Sequence, residues 1–239
     1  MKIKSIATAF MAVFSFTSVF AQSSVLSVGV GFPSGDFAGD EFDRNVILGE
    51  GKQGGAANGF NVGYKFLSPL SSPEFQWFFS ADFFYNGLIS DISDEIEDDL
   101  KDGKMPSYIN IPVMAGLNYT IANINSDVSL YAEGGVGVNM RHIRKLEGTA
   151  TDIYVSGYGT IDIDMEYSFD KAFLFAFQLG AGATIKDKFT IGLNYFNLGN
   201  EKVRYKISAE AEGYSDTEKG KSDKKLSANI LALRVGFKF

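Results

Sequence analysis

Residues 231–239 read Leu231-Ala232-Leu233-Arg234-Val235-Gly236-Phe237-Lys238-Phe239, and their alternation decides the fold. Odd positions carry leucine, valine and phenylalanine, while even positions carry alanine, arginine, glycine and lysine. Successive side chains of a β-strand point to opposite faces, so this stretch is a strand with one oily and one polar side. The pattern starts at Leu226. In a soluble sheet the oily side needs a second layer to cover it, whereas in a membrane wall it meets lipid. The rest of the sequence chooses between the two.

Seven further segments share the period. Val25–Phe32 sets Leu26, Val28, Val30 and Phe32 against Ser27, Gly29 and Gly31, and residues 60–66 set Phe60, Val62, Tyr64 and Phe66 against Asn61, Gly63 and Lys65. In residues 75–87 an odd row from Phe75 and Trp77 to Tyr85 opposes Gln76, Phe78, Ser80, Asp82, Phe84 and Asn86. Residues 108–121, 128–140, 171–185 and 189–197 repeat the motif, with Ile109 to Tyr119, the even row of 128–140, Phe173 to Ala183, and Ile191 to Tyr195 as oily rows.

The connections alternate in length: 33–57, 89–106, 141–170 and 198–225 are long and polar, while 67–74, 122–127 and 186–188 are short. This pattern predicts an all-β fold, an eight-stranded antiparallel up-and-down transmembrane β-barrel with short periplasmic turns and long extracellular loops. Both chain ends then lie on the periplasmic side. A soluble lipocalin-like barrel has the opposite polarity, polar outside and apolar within. The row bearing Trp77, Phe177 and Leu233 is therefore expected to touch lipid. Tyr64, Phe66, Trp77, Tyr119, Phe189 and Phe237 fall near the short-turn rim, and Phe32, Phe60, Tyr85, Phe173 and Tyr195 near the other, as two aromatic girdles.

Residues 1–21 stand apart, with Lys2 and Lys4 preceding an uncharged apolar run from Ile6 to Phe20. This predicts a signal peptide cleaved between Ala21 and Gln22, with the barrel in 22–239. Removing it leaves 20 basic against 29 acidic residues, a net charge of −9 with His neutral. No later run reaches the ~20 apolar residues of a spanning helix. The chain has no Cys, so disulfides are excluded. It has no dense basic patch, so no nucleic-acid partner is expected.

Glycine gathers on the polar face, at Gly29, Gly31, Gly63, Gly116, Gly135, Gly137, Gly180, Gly182, Gly192 and Gly236. That placement suits a narrow interior filled by side chains. Asp82, Glu133 and Arg234 share this face and fall at similar depth when counted from the short turns. An unpaired buried charge is costly, so a lumen charge network is expected, with a Glu133–Arg234 contact that Asp82 can join. Its readings are a selectivity constriction or, preferred, a polar plug. Pro112 lies within a strand and cannot donate to the ladder, which predicts a bulge.

The ending from Leu233 to Phe239, with Val235, Phe237 and Phe239 alternating, resembles the C-terminal assembly signal of outer-membrane barrels. Tyr108-Ile109-Asn110-Ile111-Pro112-Val113 resembles a strand motif of the outer membrane protein beta-barrel domain family, also called porin-like, and the architecture is similar to the OmpX, OmpA and OmpW small barrels. The resemblance covers residues from about 24 to 239. It implies location in the bacterial cell outer membrane. Its implied partners are outer-membrane lipids, the barrel-assembly machinery, and a surface protein or small-solute ligand.

Above the barrel, Ile161, Ile163, Met165, Tyr167 and Phe169 keep the parity of Phe173 onward, and Val203, Tyr205 and Ile207 keep that of the seventh strand. The expectation is two strands running on above the membrane, with a turn near Gly157-Tyr158-Gly159. In the acidic stretch from Asp91, Ile92, Ile96 and Leu100 recur at helical spacing, which predicts a short solvated helix. Its carboxylates do not match a calcium loop.

No cofactor or metal is expected. His142, between Arg141 and Arg144, is the sole candidate base and has no accompanying nucleophile motif, so the chain is not expected to be an enzyme. The leading reading is a structural or surface-interaction barrel acting through its loops. A passive conduit for small or hydrophobic solutes comes second, and an enzyme third.

Overall fold

The computed structural model describes residues 22–39, 54–155, 159–211, 214–222 and 225–239. The expected signal peptide, Ala21 included, lies outside them, as do Gly157 and Tyr158 of the expected upper turn. Eight strands close a barrel: β1 (Ser23–Ser34), β2 (Gly59–Ser72), β3 (Phe75–Asn86), β5 (Tyr108–Asn125), β6 (Val128–Ile143), β9 (Ala172–Ile185), β10 (Phe189–Glu201) and β13 (Leu226–Lys238). Their order is β1-β13-β10-β9-β6-β5-β3-β2, with β2 pairing back to β1, and every pairing is antiparallel. Closure matters because lipid satisfies no backbone hydrogen bond and a barrel leaves no edge.

The faces fall as the alternation requires. Leu233 and Val235 are 48% and 53% exposed, while Arg234 between them is 6% exposed. Register keeps the oily rows together: Val28 pairs with Val62 and Val235, and Leu193 with Ala181 and Leu233. Rings meet along the rims, tilted at Phe66–Trp77 (5.4 Å), edge to face at Phe189–Phe237 (5.6 Å) and stacked at Phe60–Tyr85 (5.6 Å).

The strands outrun their oily segments. β2 reaches Ser72 and β5 reaches Asn125, so the short connections are only 73–74, 126–127 and 186–188. Register shifts between Pro69 and Ser72, and between Thr120 and Asn125, absorb the polar residues added there. Pro112 makes no bulge. It stays in register opposite Asn139 of β6, and the β3 ladder skips from Ala81↔Val113 to Phe84↔Asn110 without a shift. The missing N–H is accommodated by lost rungs instead of an inserted residue.

The long connections build a second sheet, of order β12-β11-β8-β7-β4, from β4 (Lys101–Lys104), β7 (Leu146–Val155), β8 (Gly159–Phe169), β11 (Arg204–Ala211) and β12 (Tyr214–Lys221). Here the expected continuation of strand faces is corrected. Phe169 packs on the lumen-side apolar cluster and on the cluster under the outer sheet, whereas Phe173 is 74% exposed on the lipid side. Odd residues point outward in β9 and inward in β8. The chain leaves strand geometry at Asp170 and Lys171, and facing inverts across that break. The same inversion separates β10 from β11, where the register of β10 shifts between Asn197 and Asn200 and Val203 packs inward.

The expected helix forms as α1 (Ser90–Asp99), but it is not free in solvent. Ile92 and Ile96 are buried against Leu146 and Tyr167, with Met165 and Ile207 alongside. The inward face of the outer sheet thus gains an apolar cover.

The lumen as candidate functional site

The lower lumen is polar. Lys65 of β2 donates to both carboxylate oxygens of Glu133 of β6, at 2.6 Å to Oε1. Asn194 Nδ2 donates to Oε1 (2.7 Å) and Asn118 Nδ2 to Oε2 (3.2 Å), so a fully buried carboxylate has three donors. Lys65 Nζ also sits 5.2 Å from the centroid of Phe78. A cavity of about 280 Å³ opens below this pair, lined among others by Glu74, Gln76, Thr120, Tyr131, Asp187 and Lys238.

One tier up, Arg234 Nη2 donates to Asp82 Oδ1 and to Ser27 Oγ, each at 2.5 Å. Asn61, with its amide oriented to suit both neighbours, accepts from Arg234 Nε (3.2 Å) and donates to the Gly29 carbonyl (3.3 Å). Gly63 makes this tier possible, because a Cβ there would collide with the Asp82 carboxylate and the Arg234 guanidinium. Gly116 and Gly135 do the same for Phe78, whose ring tip would lie 2.6 and 2.8 Å from an added Cβ. Glycine on the inner face is thus a packing requirement of the filled interior.

The upper lumen is apolar. Phe84 and Phe196 meet edge to face at 4.9 Å, and Ile230, Leu198 and Ala228 are buried in the same cluster. The segment after β1 folds into the mouth. Phe37 is fully buried and meets Tyr108 at 4.9 Å, and the Tyr108 hydroxyl donates to the Gly54 carbonyl (2.5 Å). One inward-facing position below Tyr108 on the β5–β6 ladder, opposite Asn110, lies Arg141, 1% exposed. Its guanidinium donates to the carbonyls of Leu226 (3.2 Å), Leu198 (3.2 Å) and Gly199 (3.0 Å) and to Asn110 Oδ1 (3.3 Å), with Glu201 at 3.5 Å.

Asp82, Glu133 and Arg234 therefore all lie buried in the lumen, but the direct pairs are Asp82–Arg234 and Glu133–Lys65, not Glu133–Arg234. The ladder explains why. Followed from Glu133 through Gly180 and Asn194, it reaches Ala232, two residues short of Arg234. Depth counted from turns ignores this stagger.

The sequence places Lys65 on the polar face without naming its partner, and it assigns Arg141 to a loop. The odd position of Arg141, shared with Glu133 and Asn139, is the signal that marks it as a lumen residue. His142 lies half-buried in β6 opposite Ile109, and its Nδ1 has no hydrogen-bond partner among the described residues. No group of three or more His, Cys, Asp or Glu able to hold a metal occurs among the described residues.

A closed eight-stranded cylinder, oily outside and packed with ion pairs inside, defines a small outer-membrane β-barrel protein. The sequence model of the outer membrane protein beta-barrel domain family matches residues 6–239, and the chain belongs to that family. Among curated proteins no sequence matches.

Similar solved structures include Ail, the attachment invasion locus protein of Yersinia pestis (16% identity, 92% of this chain, 100% of that chain, TM-score 0.41). A major outer membrane protein of Thermus thermophilus is another (10% identity, 92% and 100% covered, TM-score 0.49). A third is OprG of Pseudomonas aeruginosa (14% identity, 92% and 96% covered, TM-score 0.45).

Proposed function

We propose that this protein is a structural or surface-interaction barrel with a shut lumen, acting through the sheet it raises above the membrane. The supporting observation is the stacking of the lumen: two ion-paired tiers, the apolar pair Phe84 and Phe196, the buried Arg141 guanidinium, and Phe37 packed on Tyr108 at the mouth. A lumen built this way passes no solute, so its tests are electrical and mechanical. Planar bilayers holding the purified chain are expected to show no steady openings. Deleting the β11–β12 hairpin is expected to abolish partner capture in crosslinked cells while leaving heat-modifiable migration intact. Capture unchanged by that deletion would overturn the surface role.

A conduit is the second reading, favoured by the 280 Å³ polar cavity at the periplasmic end. Regular single-channel steps in the same bilayers would establish it over the first.

The proposal extends to assembly. Val235 and Phe237 stand on the lipid row, and Phe239 exchanges backbone hydrogen bonds with Ser24 at 2.8 and 2.9 Å, so the chain's last residue joins its first strand. We read these three residues as the assembly signal. Phe239→Ser is expected to lower the amount of folded barrel in the membrane, measured by heat-modifiable migration.

A further inference from the structure

The β11–β12 hairpin sets like charges opposite each other. Arg204 pairs in the ladder with Lys221, and Lys206 with Lys219. Alternate positions share a face, so all four cations stand together. Opposite residues in an antiparallel pair have Cβ atoms ~4.5–5.5 Å apart, and like charges there oppose pairing. All four are exposed. Arg204 meets Asp170 at 2.9 Å, and among the described residues Lys206, Lys219 and Lys221 have no ion-pair partner.

Of the acids on the same face, Glu166 is held by Lys145 (2.6 Å) and Asp164 by Thr149 (2.6 Å), and Glu210 stands opposite Ser215 toward the far end of the hairpin. The chain as a whole carries a net charge of −7, so this is a local reversal of its charge.

The arrangement is held, not floppy. Rungs run without a shift from Arg204↔Lys221 to Ala211↔Tyr214, and on the other face the Tyr205 ring lies against Gly220. Its position is also defined. Lys206 pairs with Ser168, next to Phe169, and Phe169 faces the mouth of the barrel, so the cations face outward, on the side that continues the lipid wall. Phe169 is four residues from the lipid-facing Phe173, a span of at most ~14 Å of chain. The polar headgroup zone is ~5–8 Å thick on each side of the hydrocarbon. The outward-facing cations are thus within reach of the headgroups of the outer leaflet.

We propose that Arg204, Lys206, Lys219 and Lys221 bind the phosphates of outer-leaflet lipid headgroups. Phosphate offsets the cross-strand repulsion, with the Arg204 fork taking two oxygens and the lysines acting as point charges. The site rests on outer-membrane placement and is independent of whether the lumen conducts.

The test compares the full chain in nanodiscs of phosphatidylcholine with nanodiscs containing one part in three phosphatidylglycerol. The wild type is expected to unfold at a midpoint higher by several degrees in the anionic discs, since a ligand of the folded state stabilises it by mass action, and salt should erase the gain. The triple variant Lys206→Gln, Lys219→Gln, Lys221→Gln is expected to lose most of it. A Lys101→Gln, Lys104→Gln control at the opposite edge of the sheet should keep it. Heat-modifiable migration of each variant verifies assembly. An equal gain in wild type and triple variant, or none in wild type, overturns the proposal. A gain from soluble heparin in phosphatidylcholine discs without one from phosphatidylglycerol replaces lipid with a surface glycan and also overturns it.

Discussion

The two ends of the lumen are closed by opposite chemistry. Toward the periplasm, oxygen and nitrogen face a small cavity, and Glu133 and Asp82 are each held by a cation. Toward the outside, carbon dominates, and one guanidinium is held by backbone carbonyls with a glutamate nearby. The difference shows how a narrow cylinder can carry charge. Beside the periplasmic cavity, buried carboxylates pair one to one with side-chain cations. In the apolar end, one charge is spread over several strand-end carbonyls.

The sharpest way to break the upper closure is Arg141→Ala. It strips the guanidinium from the Leu226 and Gly199 carbonyls, leaves Leu198 O and Asn110 Oδ1 with Asn139 Nδ2 as their side-chain donor, and is expected to cost about 4 kcal/mol in urea unfolding from detergent micelles. A loss under about 1 kcal/mol would mean that the mouth is hydrated. Phe84→Ala is next, at about 4 kcal/mol, because it leaves a cavity against Phe196 that the closed wall cannot collapse to fill.

In the lower lumen, Arg234→Ala is expected to cost about 3 kcal/mol by leaving Asp82 buried without its partner. Arg234→Met with Asp82→Leu should recover most of that loss, since an apolar pair of similar volume removes both charges. Unchanged heat stability of Arg234→Ala would count against the plug.

The smallest effect lies in the outer sheet. Hydrogen bonds from Lys104 and then Lys145 hold the exposed Glu147 carboxyl below its ordinary value of 4.5. A depressed folded value contributes stability that is full above 4.5 and lost as pH falls through the lower value. Acid should therefore loosen the β4–β7 edge slightly below pH 4.5, and Lys104→Gln should flatten that dependence in hydrogen exchange of the Glu147 region.

The barrel is legible in the sequence because lipid enforces one rule over every membrane-embedded residue, and a period of two exposes it from Leu26 to Phe237. The outer sheet is legible only in part. Ile161 to Phe169 read correctly as strand, but nothing local in Asp170-Lys171 announces that facing inverts there, because the inversion is set by which strands β8 and β9 pair with. Ion-pair partners are hidden for a similar reason. Glu133 can be placed on the polar face and at a depth, yet choosing Lys65 over Arg234 requires the stagger of all eight strands.

Arg141 has a temporal consequence. Its hydrogen bonds to Leu198, Gly199 and Leu226 cross 57, 58 and 85 residues of chain, linking a strand from the middle of the sequence to the last two to be added. All three need β10 or β13 in place, so they form late in assembly. Interactions absent from the transition state act on unfolding rates and not on folding rates. Arg141 therefore governs how long a finished barrel stays sealed, and its removal should shorten that lifetime without slowing insertion.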